Sequence, residues 1–325
     1  KRTEYIVRLA QAHDQSGFVA TTAFQQMVFG KDHLYARPSG GTETTLKNIQ
    51  IGDLKIFHQD FITPANAYLV VVGDINQNEA KMMLEKAFKG WSGGKLMTRT
   101  VPDPPKTKGM QVFVVDDPGA AQTQLRFGGL GVSRSTPDYY PITIMNTILG
   151  GSFTSRLNQN IREEHGYAYG AGSGFYQPKG KGYFVAQSAV QTDVTDKAIQ
   201  EFMKELNAIN EVSPEEVTKA RNYEALGYPG EFQRIEQIAG NISEIVYHNL
   251  PKDYLNKHMD KLLGVSEADV ERVAKTYVDP QNMVVMIVGD KSKIEEGLKN
   301  LKLGKITYLS KTDILGPVPK KDVKP

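Results

Sequence analysis

Five residues recur in fixed register along this chain. Asp53, Pro64, Asn66, Gly73 and Asp74 are matched by Asp269, Pro280, Asn282, Gly289 and Asp290, each pair 216 residues apart (53 to 269). Both stretches read helix, Pro-x-Asn turn, apolar strand, Gly-Asp, helix. So long a period excludes a solenoid and points to a duplicated domain. The Pro-rich run Val101–Lys108 reads as a linker between copies. The second copy begins near Gly109, so its counterpart in the first would lie about 107 residues before Lys1 (109 less 216). The expectation is therefore the back half of one domain (1–100), a linker (101–108), a complete second domain (109–310) and a tail (311–325).

Strands and helices are grouped rather than strictly alternating, which predicts α+β layers, each domain a mainly antiparallel sheet packed with helices. Tyr5 to Phe29 is helical in pattern and closes at Gly30. His33 to Gly41 is too rich in Gly and Pro for regular structure. Asp53–Phe61 and Ala80–Phe88 read as helices, and Tyr68–Val72 between them as a buried strand. Met110–Val115, Gln122–Gly128, Tyr167–Gly174 and Tyr183–Val190 read as further strands. Thr136-Pro-Asp138 has the form of a helix start with Pro at the first helical position, the helix running to Leu149 before Gly150-Gly151 breaks it. A helical series follows, striped by Ile199, Phe202, Met203, Leu206 and Ile209, then capped at Ser213-Pro-Glu-Glu216, then striped by Ile235, Ile238, Ile242 and Ile245.

Over 325 residues, 39 basic side chains stand against 37 acidic ones, and no basic tract is interleaved with aromatics. Nothing here is the electrostatic footprint of a nucleic-acid binder, and no apolar run approaches the ~18 residues of a membrane span. With no cysteine in the chain, disulfides, thiolate nucleophiles and Cys-ligated zinc are excluded. The six histidines, His13, His33, His58, His165, His248 and His258, form no H-E-x-x-H, H-x-x-E-H or H-x-H pattern, so no zinc site is legible from spacing. There is no G-x-S-x-G elbow, and Gly128-Gly-Leu-Gly131 lacks the context of a phosphate loop.

One stretch does carry chemistry. Ser155 to Gly170 reads as a helix stopped by Gly166 and turning into a strand at Tyr167 and Tyr169. Arg162 and Tyr169 stand on either side of that corner. A guanidinium offers forked donors and a phenol one movable donor. Together they suit a peptide carbonyl and the oxyanion that forms when it is attacked. The alternative is structural: Arg162 paired with Glu163 or Glu164, and the tyrosine packed in a sheet.

Ile148-Leu-Gly-Gly-Ser-Phe-Thr-Ser-Arg-Leu157 followed by Ile161-Arg-Glu-Glu-His-Gly-Tyr-Ala-Tyr-Gly170 closely resembles the second domain of the insulinase/pitrilysin zinc metallopeptidases, the group that includes mitochondrial processing peptidase. His33–Gly41 and Pro64–Asp74 resemble the closing half of that family's first domain. The resemblance implies tandem α+β domains facing each other across a chamber. It also implies zinc held by an H-x-x-E-H motif and a distal Glu, with an Arg and a Tyr supplied from the facing domain. Arg162 and Tyr169 match that pair, with six residues between them; Tyr167 has the wrong spacing. H-x-x-E-H is absent, and Glu4, the only acidic residue before Asp14, is not assigned as a ligand, so no metal ligand is expected in this chain. Zinc would come from an upstream segment, a tandem half or a partner subunit. The resemblance thus implies part of a peptidase acting on peptides, or a non-catalytic paralogue that encloses peptide or steadies a zinc-bearing partner, or a structural subunit like those of respiratory complexes. An exported, periplasmic location is the corresponding expectation.

Overall fold

Val284–Gly289 is a continuous apolar run, the pattern of a strand covered on both faces. The computed structural model describes residues 1–97 and 100–319. Among them six strands make one sheet: β1 (Gln111–Asp116), β2 (Gln122–Leu130), β3 (Ala168–Tyr176), β4 (Tyr183–Gln191), β5 (Val284–Gly289) and β6 (Ile306–Leu309), in the order β3-β4-β2-β5-β1-β6. The pairs β2–β4, β2–β5 and β3–β4 are antiparallel, while β1 runs parallel to both β5 and β6. The α+β class holds, with an antiparallel half and a parallel half meeting at β5.

The helices are α1 (Arg2–Ala12), α2 (Ser16–Phe29), α3 (Glu43–Asn48), α4 (Ile51–Phe61), α5 (Gln77–Ala87), α6 (Tyr139–Asn146), α7 (Arg156–Asn158), α8 (Thr195–Ala208), α9 (Pro214–Gly227), α10 (Ile235–Tyr247), α11 (Tyr254–Leu263), α12 (Glu267–Tyr277), α13 (Lys291–Asn300) and α14 (Lys311–Leu315). One face of the sheet packs on α6, α8, α9, α12 and α13 through Leu125, Phe127, Phe184, Phe202, Ile287 and their neighbours. The other face is covered by α2, where Val19, Ala23, Phe24 and Val28 meet Val284, Met286 and Val288.

The helix expected over Tyr5–Phe29 is two helices. Between them Gln15 is extended (φ −100°, ψ 92°), where the apolar pattern lapses over His13-Asp-Gln-Ser-Gly17. Ser16 Oγ donates to Asp117 Oδ2 at 2.5 Å, pinning the start of α2 to the β1–β2 turn. Pro137 lies before α6 rather than in its first turn. Asp138, at the N-cap position, makes no cap hydrogen bond, because its carboxylate accepts from Arg272 Nη2 at 2.7 Å and Tyr277 Oη at 2.6 Å. Nor do Gly150-Gly151 simply end that helix, which continues as a π turn over Thr147–Gly151. Part of the expected tail is ordered structure: α14 buries Ile314, and the Ile314 carbonyl accepts from Gln26 Nε2 at 2.9 Å. Residues 320–325 of that tail lie outside the described residues.

The largest departure is Tyr68–Val72. No strand forms there, and Tyr68, Leu69 and Val71 are exposed. Its counterpart in the repeat, β5, is held by β1 on one side and β2 on the other, and among the described residues 68–72 has no strand on either side. The same holds for the apolar side chains around it: Leu54, Phe57, Met82 and Leu96 are also exposed. Local structure nonetheless repeats. Helices α4 and α12 share their bounds at an offset of 216 residues (51 to 267), as do the short 3-10 turns Pro64–Asn66 and Pro280–Asn282.

The Asp138 contacts lock α12 to α6. Chiefly through the Arg272 hydrogen bond, they hold the Asp138 carboxyl below its usual range. A depressed carboxylate contributes stability that is complete above the unfolded pKa of about 4 and is lost as the pH falls through the folded value. Because Arg272 is half exposed, Asp138→Asn should cost roughly 1–2 kcal/mol at pH 7. In urea titrations the gap between variant and parent should then close as the pH is lowered below about 4.

Candidate functional site

The corner is built on one close backbone approach. A Cβ added at Gly150 would lie 2.2 Å from Ser173 N, so only glycine lets the first π turn pack flat against β3. Beside it Ser173 Oγ donates to Asn146 Oδ1 at 2.8 Å. The chain then swings out at Phe153, which is 61% exposed. Asn158, itself buried, ties this loop down: its Nδ2 donates to the Phe153 carbonyl at 2.7 Å and its Oδ1 accepts from Ala171 N at 3.2 Å. Leu157 and Ile161 are fully buried beneath, each worth about 1.5–3 kcal/mol as an anchor.

Arg162 sits in a second π turn, Gln159–Glu164. Single-turn π segments are uncommon and concentrate at functional sites; here two flank one corner. The Arg162 Cζ lies 4.7 Å from the centre of the Phe153 ring, within reach of a cation–π contact. Its Nε is 3.4 Å from Glu163 Oε1, with both side chains substantially exposed, so that pairing is weak.

Gly166 (φ +63°) makes the turn, its N–H reaching the Arg162 carbonyl at 3.1 Å while Tyr167 N reaches Ile161 O at 2.9 Å. Tyr167 stacks on His165 with ring centres 4.9 Å apart and packs against the core. Tyr169 does not. Ala168 pairs with Val190 and Ala171 with Ser188, three steps on β3 against two on β4, so Tyr169 and Gly170 fall in a β-bulge. The bulge turns Tyr169 into solvent, where it is 92% exposed. The packed tyrosine of the structural alternative is therefore Tyr167. Arg162 and Tyr169 stand on one corner, and among the described residues no hydrogen bond joins their side chains.

His165 Nε2 is 3.8 Å from Glu201 Oε1. Asn160 Nδ2 donates to that same Glu201 carboxylate at 2.8 Å and Lys204 Nζ at 3.0 Å, and together, Asn160 foremost, they hold it below its usual pKa range. His33 is committed to structure: its Nδ1 accepts from Tyr35 N at 3.1 Å, leaving Nε2 to donate to the Pro102 carbonyl at 2.9 Å. Among the described residues no three His, Cys, Asp or Glu side chains converge into a set able to hold a metal ion. Zinc does not fit the described residues of this chain, and no helix among them is long and apolar enough to cross a membrane.

Beside the corner runs a groove of about 460 Å³ over β2, β4 and β3, lined by Gln124, Arg126, Phe153, Asn158, Gly170 and Gln187 among others. Sequence reading missed Phe153, Asn158 and Arg126. The available signal was an aromatic just past Gly150-Gly151, and a lone charge, Arg126, in the otherwise uncharged strand Gln-Thr-Gln-Leu-Arg-Phe-Gly.

The family model described as "Peptidase M16 inactive domain" matches residues 48–223. Among curated relatives, an uncharacterized zinc protease of Rickettsia bellii is 27% identical over 215 residues, 66% of this chain and 51% of that protein. The chain therefore spans about half that protein's length. A non-peptidase homologue, YmxG, of Helicobacter pylori is 22% identical over 303 residues, 90% of this chain and 67% of that one. Among solved structures, the peptidase M16 inactive domain from Pseudomonas fluorescens superposes with a TM-score of 0.77 at 23% identity, covering 87% of this chain and 70% of the other; that likeness shows the fold. With its corner motif, its α+β sheet and a family match over more than half its length, this chain belongs to the M16 peptidases, the insulinase/pitrilysin group.

Proposed function

We propose that this chain supplies the substrate-holding half of an M16-type peptidase site. Arg162 and Tyr169 would grip the carbonyl of the scissile peptide bond and the oxyanion that grows on it. The observation that carries this reading is the bulge at Tyr169, which turns its phenol into solvent, without a hydrogen-bond partner among the described residues, on the same corner as the Arg162 guanidinium over Phe153. A charged forked donor and a neutral movable one suit an oxygen whose charge increases during reaction, because donors fixed in advance need no reorganisation as that charge develops. The attacking water and the metal belong, in this reading, to an upstream segment, a tandem half or a partner subunit. Two observations support a missing half: the apolar side chains exposed around 51–97, and the element bounds repeated at 216 residues (51 to 267).

A second reading is a non-catalytic paralogue that clamps or encloses peptide for a zinc-bearing partner. The match to the H. pylori non-peptidase homologue along 90% of this chain favours keeping it. In that case the same two side chains hold a peptide and no chemistry follows.

Kinetics of the reconstituted zinc-bearing assembly on a quenched fluorescent peptide separate the two. For the catalytic reading, Arg162→Ala should lower kcat by about 10²–10³ with KM changed only a few-fold. Tyr169→Phe should also lower kcat, while its melting temperature stays at the parent value, since an exposed position contributes within about 0.5 kcal/mol. Weaker peptide binding at constant kcat would favour the paralogue, and no change in either quantity would sink both readings. Purified alone, the chain should retain no stoichiometric zinc by elemental analysis and hydrolyse no peptide. Zinc-dependent turnover by the isolated chain would contradict this division of labour.

A further inference from the structure

Among the described residues, Arg126 is the one charged side chain lining the groove beside the corner. Strand alternation explains its direction: Leu125 and Phe127 point into the helical core, so Arg126 points to the opposite face. There it is only 8% exposed. A guanidinium carries five N–H donors, and these are poorly used. Nη1 donates to the Leu125 carbonyl at 2.8 Å and, at the 3.5 Å limit, to Ser188 O; Nη2 reaches Gln124 Oε1 at 3.4 Å; Nε is buried with no partner. Among the described residues Arg126 forms no ion pair, and no aspartate or glutamate lines the groove. Burial without a counter-charge pushes its pKa down to about 10.

Buried charges in folded proteins are normally paired. A guanidinium with a free Nε–H, walled into a groove of uniformly neutral lining, has the chemistry of a site whose counter-charge arrives with a ligand. The rim on the β3 side is Gly170-Ala171-Gly172, which leaves room beside it, and Phe153 and Gly170 place it next to Arg162 and Tyr169. We infer that Arg126 makes this groove a carboxylate subsite, taking an acidic side chain or the terminal carboxylate of a peptide that lies across the corner. A planar carboxylate matches the guanidinium fork in two parallel hydrogen bonds. The inference rests on the peptide-holding reading for the identity of its ligand, but its test does not pass through turnover.

The Arg126 Nε–Hε resonance, assigned by its loss in Arg126→Met, can be titrated with three small probes. N-acetyl-glutamate N-methylamide carries the side-chain carboxylate, N-acetyl-glutamine the terminal one, and N-acetyl-glutamine N-methylamide neither. We expect a saturable shift with one or both carboxylates, at least tenfold tighter than with the neutral probe, and which of the two binds identifies the source. Arg126→Met should abolish the preference while melting at or above the parent temperature, because it removes an uncompensated buried charge. If neither carboxylate moves the signal, or Arg126→Met binds them equally well, the subsite does not exist. Carboxylate binding here alongside unchanged turnover in Arg162→Ala would leave the subsite standing and remove the catalytic reading. The reverse pattern would remove only the subsite.

Discussion

The fold depends on β5 being buried on both faces and paired on both edges. All six of its residues are buried. Val285 and Ile287 belong to the cluster under the helices, while Val284, Met286 and Val288 belong to the one under α2. One strand thus joins the parallel and antiparallel halves of the sheet and couples its two cores. That also explains why α2, far away in sequence, is part of the same packed unit. Tyr68–Val72 has the same apolar character but, among the described residues, neither neighbour, and it forms no strand. Apolar sequence alone does not make a strand; the ladder and the covering layers do.

Much of the second half was legible because its elements carry their own signals. The capping box at Ser213–Glu216 forms as read, with Ser213 Oγ accepting from Glu216 N at 3.2 Å, and all four strands expected between Met110 and Val190 form. Two of the misreadings involve a partner distant in the chain. Asp138 was read as part of a helix start, yet its carboxylate is taken by Arg272 and Tyr277. The single helix over Tyr5–Phe29 breaks where the apolar pattern lapses, and there Ser16 is held by Asp117. The 216-residue register was visible in five residues and returns in the bounds of α4 and α12, but not in the packing around them.

The corner shows the same division. Its two candidate residues, Arg162 and Tyr169, were expected from a helix-to-strand corner, and Tyr169 was preferred over Tyr167 on the spacing that the family resemblance implies. What could not be read was the reason the two tyrosines behave differently. An extra residue in β3 changes the phase of the strand, so one ring stacks on His165 and the other points outward. Nor could the sequence reveal the two π turns, whose geometry depends on Gly150 meeting Ser173 and Asn158 bridging Phe153 to β3. These supports are neutral, only Asn158 among them buried, and they position a charged group without sharing its charge.

The bulge has a consequence for how such a surface can change over time. Because Tyr169 is looped out of register, its side chain is decoupled from folding, and a population selected only for thermal robustness would let that position drift unnoticed. Arg126 lies a short way along the same wall under the opposite pressure. Selection for robustness alone would replace it with an apolar residue. Where both residues persist, thermal stability is not what keeps them, and a variant obtained by screening for heat resistance alone would lose them first.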